Sequence, residues 1–200
     1  MKIDTLPIGM YGENSYVVHE NGEVLLVDPG AYPKEIQKHI AEDEKVVGIV
    51  LTHGHEDHTG AVDDLVDVLH CPVYMHADDF ILTAHDNGRD VRGFAKPVYS
   101  DILPLGDRLD LGVFRMKIYH TPGHTPGSVC IQIKDVLFTG DTLFAGSIGR
   151  TDLPGGSEMD MIGSLRFLRT LPGYLKVYPG HGPSTTISIE DSDNPFLQMI

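Results

Sequence analysis

Only two cysteines occur in the chain, Cys71 and Cys130. They are too few for a disulfide framework, and neither lies near the histidine-rich stretch described below. Cys130 sits inside the apolar triplet Val129-Cys130-Ile131, so a buried free thiol is expected. Cationic side chains are also scarce: 15 Lys and Arg stand against 29 Asp and Glu, a formal net charge of -14. No basic stripe offsets that charge, and phosphate-backbone binding depends on one, so a nucleic-acid partner is not expected. Long apolar runs are missing too. No stretch approaches a membrane span, and the N-terminus, Met1-Lys2-Ile3-Asp4-Thr5-Leu6-Pro7, lacks the apolar core of a signal peptide. No membrane partner is expected, and cytoplasmic residence is the default. No linker, repeat or low-complexity block interrupts the 200 residues, so 1–200 reads as one domain with a sizeable core.

Histidine is what the chain has in quantity, 11 residues in all. The stretch Thr52-His53-Gly54-His55-Glu56-Asp57-His58-Thr59 crowds three imidazoles and Asp57 together. It follows the apolar run Val46-Val47-Gly48-Ile49-Val50-Leu51, which reads as a buried strand opening into a loop. Imidazole and carboxylate together suit zinc, iron or manganese. A solvated polar loop is the plain alternative, but even at this histidine content a chance H-x-H-x-D-H is on the order of a few in a thousand.

Alternation and turn residues predict strands over 2–8, 15–19, 24–27, 46–51, 73–75, 113–119, 128–133, 136–139 and 175–178. Helical spacing predicts helices over 32–42, 61–69, 77–84 and 157–170. Residues 85–100 show no clean period and read as a flap or a plain loop. The stretch 142–156 is a glycine-rich loop, and Asn194-Pro195-Phe196-Leu197 is a short apolar anchor. Strands followed by helices in both halves point to two sheets with helices outside, one sheet from each half.

Four predicted strands run into a potential ligand: Leu51 before His53, Tyr119 before His124, Thr139 before Asp141 and Tyr178 before His181. Glycine and proline flank three of them, making tight turns that fix where a side chain points. With the loop cluster they make seven donors, the right number for two metals sharing a carboxylate. A structural zinc closes with four, so a purely structural role fits poorly.

These motifs (H-x-H-x-D-H, T-P-G-H-T-P-G, F-T-G-D and P-G-H-G) resemble those of the metallo-β-lactamase superfamily. Within it, the chain is similar to the glyoxalase II branch, the hydroxyacylglutathione hydrolases and their short bacterial relatives. The likeness runs from Asp28 to His181. It implies an α+β fold, a four-layer αββα sandwich with the metal site at one edge of the two sheets. It also implies two divalent ions, zinc first with iron or manganese as alternatives. His53, His55 and His124 would hold one ion, Asp57, His58 and His181 the other, and Asp141 would bridge them. Asp57 and Asp141 would act with a bridging hydroxide in hydrolysing a small anionic thioester such as S-lactoylglutathione. Asp28, in Val27-Asp28-Pro29-Gly30, either accepts from a ligand imidazole or forms an Asx-turn. His120 reads as a strand-end histidine with no metal role. Arg150, in Gly149-Arg150-Thr151-Asp152, falls where glyoxalase II has a substrate-binding lysine. It pairs either with a substrate carboxylate or with an acid of its own loop such as Asp152.

The chain departs from the family's patterns in several places. The best-known zinc β-lactamases have Cys at the place of Asp141, which speaks against antibiotic hydrolysis. Flavodiiron oxidoreductases have Glu at the place of His55. Full-length glyoxalase II adds a basic C-terminal helical region that grips glutathione, with no counterpart expected here. It also has a tyrosine where this chain has Gly182-Pro183. The competing expectation is a persulfide dioxygenase with one iron on His53, His124 and Asp141, a family that shares the G-R-T-D loop. Pro179-Gly180-His181-Gly182 looks more like the hydrolases.

Overall fold

Side-chain alternation along the strands sorts the apolar residues into layers. The computed structural model describes residues 1–84 and 96–200. Its first sheet holds β1 (Lys2–Ile8), β2 (Glu13–Glu20), β3 (Glu23–Val27), β4 (Lys45–Val50), β5 (Val73–Met75) and β6 (Ile102–Pro104), paired in sequence order. The chain continues through β7 (Arg108–Leu111), β8 (Phe114–His120), β9 (Val129–Ile133), β10 (Val136–Gly140), the small hairpin β11 (Leu143–Phe144) and β12 (Ser147–Ile148), then β13 (Lys176–Pro179) and β14 (Thr185–Thr186). The second sheet runs in the order β14-β13-β10-β9-β8-β7.

Tyr16 and Val18 of β2 point inward and meet Ile131, Ile133 and Phe138 of the second sheet, while Val17 between them points outward. The outer face of the first sheet is covered by α1 (Pro33–Gln37), through Ile36, and α3 (Val62–Leu69), through Val62 and Leu65. The outer face of the second packs on α5 (Glu158–Leu168), α6 (Ile187–Asp193) and α7 (Pro195–Gln198), with Met161, Leu165, Leu168, Ile187 and Leu197 against Cys130, Leu137 and Val177. Side chains alternate between an inner layer shared by the two sheets and outer layers under the helices, which yields helix, sheet, sheet, helix, as the sequence implies. Cys71 and Cys130 are buried free thiols.

Several elements differ from expectation. The helix expected over 32–42 is α-helical only from Pro33 to Gln37; beyond it the amides of Lys38, His39 and Ile40 bond three residues back, which tightens the chain. The helix expected over 77–84 splits into a 3-10 turn, Ala77–Asp79, and α4 (Phe80–Thr83). A helical turn, α2 (Glu56–Thr59), forms inside the histidine loop itself. The glycine-rich loop contains the β11–β12 hairpin, and β6, β7, β14 and α6 are additions. Of the stretch 85–100, residues 85–95 lie outside the described residues; Tyr99 and Ser100 donate backbone N–H groups to Asp63. No helix among the described residues is long and apolar enough to cross a membrane.

Candidate metal centre

Parallel pairing brings strand ends to one edge. β3 and β4 run parallel, so Asp28 and the Thr52–Thr59 loop emerge together. β10 and β13 run parallel in the other sheet and deliver Asp141 and His181 side by side. The two sheets are stitched there by Val129 N–H to Thr52 O, 2.9 Å, and Asn14 N–H to Gly180 O, 2.7 Å. Gly180 is obligatory: a Cβ on it would run into the Asp141 carboxylate and the His58 ring.

All seven expected donors converge at this edge. His53, His55 and His124 form one group and Asp57, His58 and His181 another, each with its donor atoms within 4.8 Å of one another. His55 Nδ1 and His124 Nε2 are 2.9 Å apart. Asp57 Oδ2 is 3.4 Å from His181 Nε2 and 3.8 Å from His58 Nε2. Asp141 lies between the groups: Oδ1 is 3.4 Å from His58 Nε2, and Oδ2 is 3.4 Å from His124 Nε2 and 3.5 Å from His181 Nε2. Ligand atoms around one tetrahedral zinc with bonds of about 2.0–2.1 Å sit roughly 3.3 Å apart, so these separations match shared ions.

The outward-facing ring nitrogens fix which atoms face inward. His124 Nδ1–H donates to the carbonyl of Arg150, 2.7 Å, which turns Nε2 inward to within 2.9 Å of His55 Nδ1. His58 Nδ1–H donates to Asp28 Oδ2, 3.0 Å. His53 Nδ1–H reaches Thr52 Oγ1, 3.1 Å, whose own proton goes to Asp28 Oδ2. Behind a metal ligand, such partners set tautomer and ring orientation. Among the described residues five buried side-chain polar atoms lack a hydrogen-bond partner, and three are here: His53 Nε2, His58 Nε2 and Asp141 Oδ1. Buried polar atoms left unpaired are costly, and three aimed at one spot fit a pair of cations.

Proton affinity separates His53 and His55 from His58 and His181. Burial, reinforced by neighbouring imidazoles, drives His53 well below the ordinary histidine value and His55 down to about 3. Those rings are neutral, the form in which imidazole can hold a metal. Burial opposes charge on His58 and His181 as well, yet Asp141 and Asp28 hold His58 well above its ordinary value, and Asp57 raises His181. Metal must displace protons there. Acidification is therefore expected to empty the Asp57/His58/His181 group first. Metal content followed from pH 8 to pH 5 checks this; simultaneous loss from both groups would contradict it.

The other expected residues are placed as follows. Asp28 is buried, with φ 49°, and accepts from Thr52 N–H and Thr52 Oγ1–H as well as from His58. Turn geometry and contact with a candidate ligand thus coexist in it. Arg150 makes a bidentate pair with exposed Asp152 (Nε to Oδ1 and Nη2 to Oδ2, both 2.7 Å), and it also lines the cavity over the cluster. His120 stands apart, its Nε2 2.7 Å from Pro126 O and its ring stacked on His76. The cavity, about 370 Å³, is walled by Tyr11, Phe144, Ile148 and Leu153 beside the candidate ligands.

One residue with a part in this site carries no signal in the sequence. Asp79, fully buried, accepts from Gly54 N–H, 2.8 Å, Thr125 Oγ1–H, 2.7 Å, and Gly127 N–H, 2.6 Å. It sits in a stretch that reads as ordinary helix.

The family model of the Metallo-beta-lactamase superfamily matches residues 8–181. The chain belongs to that superfamily. Among the superfamily's curated members, the "Probable metallo-hydrolase YqgX" of Bacillus subtilis is 38% identical over 98% of both chains. "Hydroxyacylglutathione hydrolase GloC" of Haemophilus influenzae is 33% identical over 98% of both. Among solved structures, BLEG-1, a B3 metallo-beta-lactamase, superposes with a TM-score of 0.90 at 35% identity, covering 98% of this chain and 99% of that one. TTHA1623, in a di-iron-bound form, gives 0.86 at 38% identity with coverage of 97% and 100%. ETHE1 from Myxococcus xanthus gives 0.80 at 27%, with 98% and 84%. The superfamily, its fold and a metal-dependent hydrolase of this kind are thereby established for the chain.

Proposed function

We propose that the chain is a dinuclear thioesterase that cleaves a small anionic acyl-thiol of the S-lactoylglutathione type in the cytoplasm. One observation carries the reading: Asp141 is within 3.5 Å of His58, His124 and His181, so a single carboxylate serves both donor groups. The likeness to GloC supports the substrate class. Zinc is the first choice of metal; the di-iron-bound neighbour makes iron the next, with manganese after it.

Two ions held by His53, His55 and His124 and by Asp57, His58 and His181, with Asp141 between, would supply what no side chain here can: a water acidified from about 15.7 toward 7 and a polarised thioester carbonyl. Asp57 and Asp141 both reach the cavity, where their carboxylates would orient that water; as the thioester C–S bond breaks, the water's proton would end on the departing thiol. Phe144, Ile148 and Leu153 shield the acyl carbon from bulk solvent. Arg150, at the cavity wall, exchanges Asp152 for the substrate's carboxylate. Its pair with Asp152 is exposed, and exposed pairs contribute little, so the exchange costs little. Arg150→Ala is expected to raise KM for an anionic thioester about tenfold with kcat nearly unchanged, since it removes binding common to ground and transition states. The backbone carbonyl that holds His124 stays. An unchanged KM would remove Arg150 from the substrate site.

The test is metal analysis joined to three assays on one preparation: thioester cleavage, oxygen uptake with a persulfide, and β-lactam cleavage. Two ions per chain with thioester turnover is the expected result. One iron with oxygen uptake would replace the proposal by the dioxygenase reading, which the Gly149-Arg150-Thr151-Asp152 loop keeps worth testing. Faster β-lactam than thioester cleavage would align the chain with BLEG-1 instead.

A further inference from the structure

The two loops that carry His53, His55 and His124 belong to different sheets. His53 and His55 follow β4 in the first, and His124 follows β8 in the second. Three imidazoles can share an ion only if both loops are held in register to within a fraction of an ångström. Backbone bonding across the seam includes one link, Val129 N–H to Thr52 O. Asp79 supplies another, from a third place in the chain. Its Oδ2 accepts from Gly54 N–H, between His53 and His55, and from the hydroxyl of Thr125, the residue after His124. Its Oδ1 accepts from Gly127 N–H, at the end of the same turn. The fit is close: a Cβ on Gly127 would lie 2.6 Å from Asp79 Oδ1. Asp79 itself is anchored by a 3-10 turn, Ala77–Asp79, directly after β5, the neighbour of β4. Three donors on one buried carboxylate are charge-assisted and stronger than neutral hydrogen bonds.

We infer that Asp79 is a positioning residue that sets the ion affinity of the His53/His55/His124 group by locking its two loops together. The inference rests on the metal reading proposed above. It touches no ligand directly, so its effect is confined to where the imidazoles stand. Asparagine cannot replace it. An amide keeps one acceptor oxygen, and its NH2 must face either Gly127 N–H or the pair of donors on the other side.

The test follows zinc binding through long-range nitrogen–proton NMR spectra of the histidine rings, which report each group separately. In Asp79→Asn, affinity at His53, His55 and His124 is expected to fall about 10–100-fold, with a clearly smaller loss at the Asp57/His58/His181 group, which is coupled to it only through Asp141 and the neighbouring rings. Equal losses at both groups would mean a general structural role and would overturn the inference, as would no loss. If Asp79→Asn does not fold, Thr125→Val decides the matter: it removes one donor, keeps the shape, and is expected to weaken the same group to a smaller degree. Indifference of Thr125→Val, or an equal loss at both groups, overturns it as well. A wild-type protein that takes up no zinc at these rings would sink the metal reading itself, and the role of Asp79 with it. Normal wild-type binding with an indifferent variant would sink the role of Asp79 alone.

Discussion

Replacing Asp141 by asparagine should cut thioester turnover by at least about a thousandfold, equivalent to roughly 4 kcal/mol of barrier, and should abolish stoichiometric loading with two ions. On the proposed function Asp141 contributes a negative charge that both donor groups would use. Its Oδ1 faces His58 and its Oδ2 faces His124 and His181. An amide retains one coordinating oxygen and no charge, so it can serve one group and not both. Losing an ion removes both the activated water and the polarised carbonyl, which together account for several kcal/mol of transition-state stabilisation. Steady-state kinetics with metal analysis on the same sample measures this, and circular dichroism separates it from unfolding. Native loading with turnover reduced less than about tenfold would remove Asp141 from its place between the two groups.

Four donors of this site, His53, His124, Asp141 and His181, are legible in the sequence because each follows the end of a strand, and His55, Asp57 and His58 because they crowd into the same loop as His53. His53 follows β4, Asp141 follows β10 and His181 follows β13, and parallel pairing within each sheet then brings those ends to a common edge. The layers are legible for a different reason: strands followed by helices in both halves imply two sheets with helices outside, although the all-apolar run Tyr16-Val17-Val18 does not by itself say which residues face the other sheet.

What holds the donors is mostly illegible. The partner of His124 Nδ1 is the backbone carbonyl of Arg150, and a carbonyl carries no residue identity, so the sequence offers only the side chain of Arg150 to reason from. Asp79 bonds groups 25, 46 and 48 residues away, and a contact of that range leaves no local period. Glu190 repeats the pattern. It lies buried in the polar-looking helix α6 and binds Thr185, Gly146 and Asn194, tying the β11–β12 hairpin to the outer helices. Buried carboxylates that accept from loop donors look, in sequence, like solvated acids. Short edge elements fail for a different reason. β6 spans three residues and ends in Pro104, which is too little alternation to read and closes with a residue that has no N–H to donate.

Asp28→Asn is the sharpest test of whether the turn at the end of β3 serves the ions or only the backbone. Asparagine tolerates the left-handed conformation that Asp28 adopts, φ 49°, so the substitution leaves the turn intact and changes charge and acceptor count alone. Three donors currently point at the carboxylate: Thr52 N–H at 2.7 Å, Thr52 Oγ1–H at 2.6 Å and His58 Nδ1–H at 3.0 Å. An amide can accept at one end only. Orienting its oxygen toward the Oδ2 side keeps Thr52 Oγ1 and His58 bonded but sets an NH2 against Thr52 N–H; the reverse orientation frees His58. Either way a buried donor loses its partner, which costs about 1–3 kcal/mol of stability. Metal affinity should fall about 10–100-fold. The loss should be largest at the Asp57/His58/His181 group, because His58 is touched directly. A smaller loss is expected at His53, which reaches Asp28 only through Thr52. That order is opposite to the one expected for Asp79→Asn, so the pair of variants, measured by the same zinc titration, assigns one buried carboxylate to each half of the site. Native affinity at both groups in Asp28→Asn would confine Asp28 to the turn.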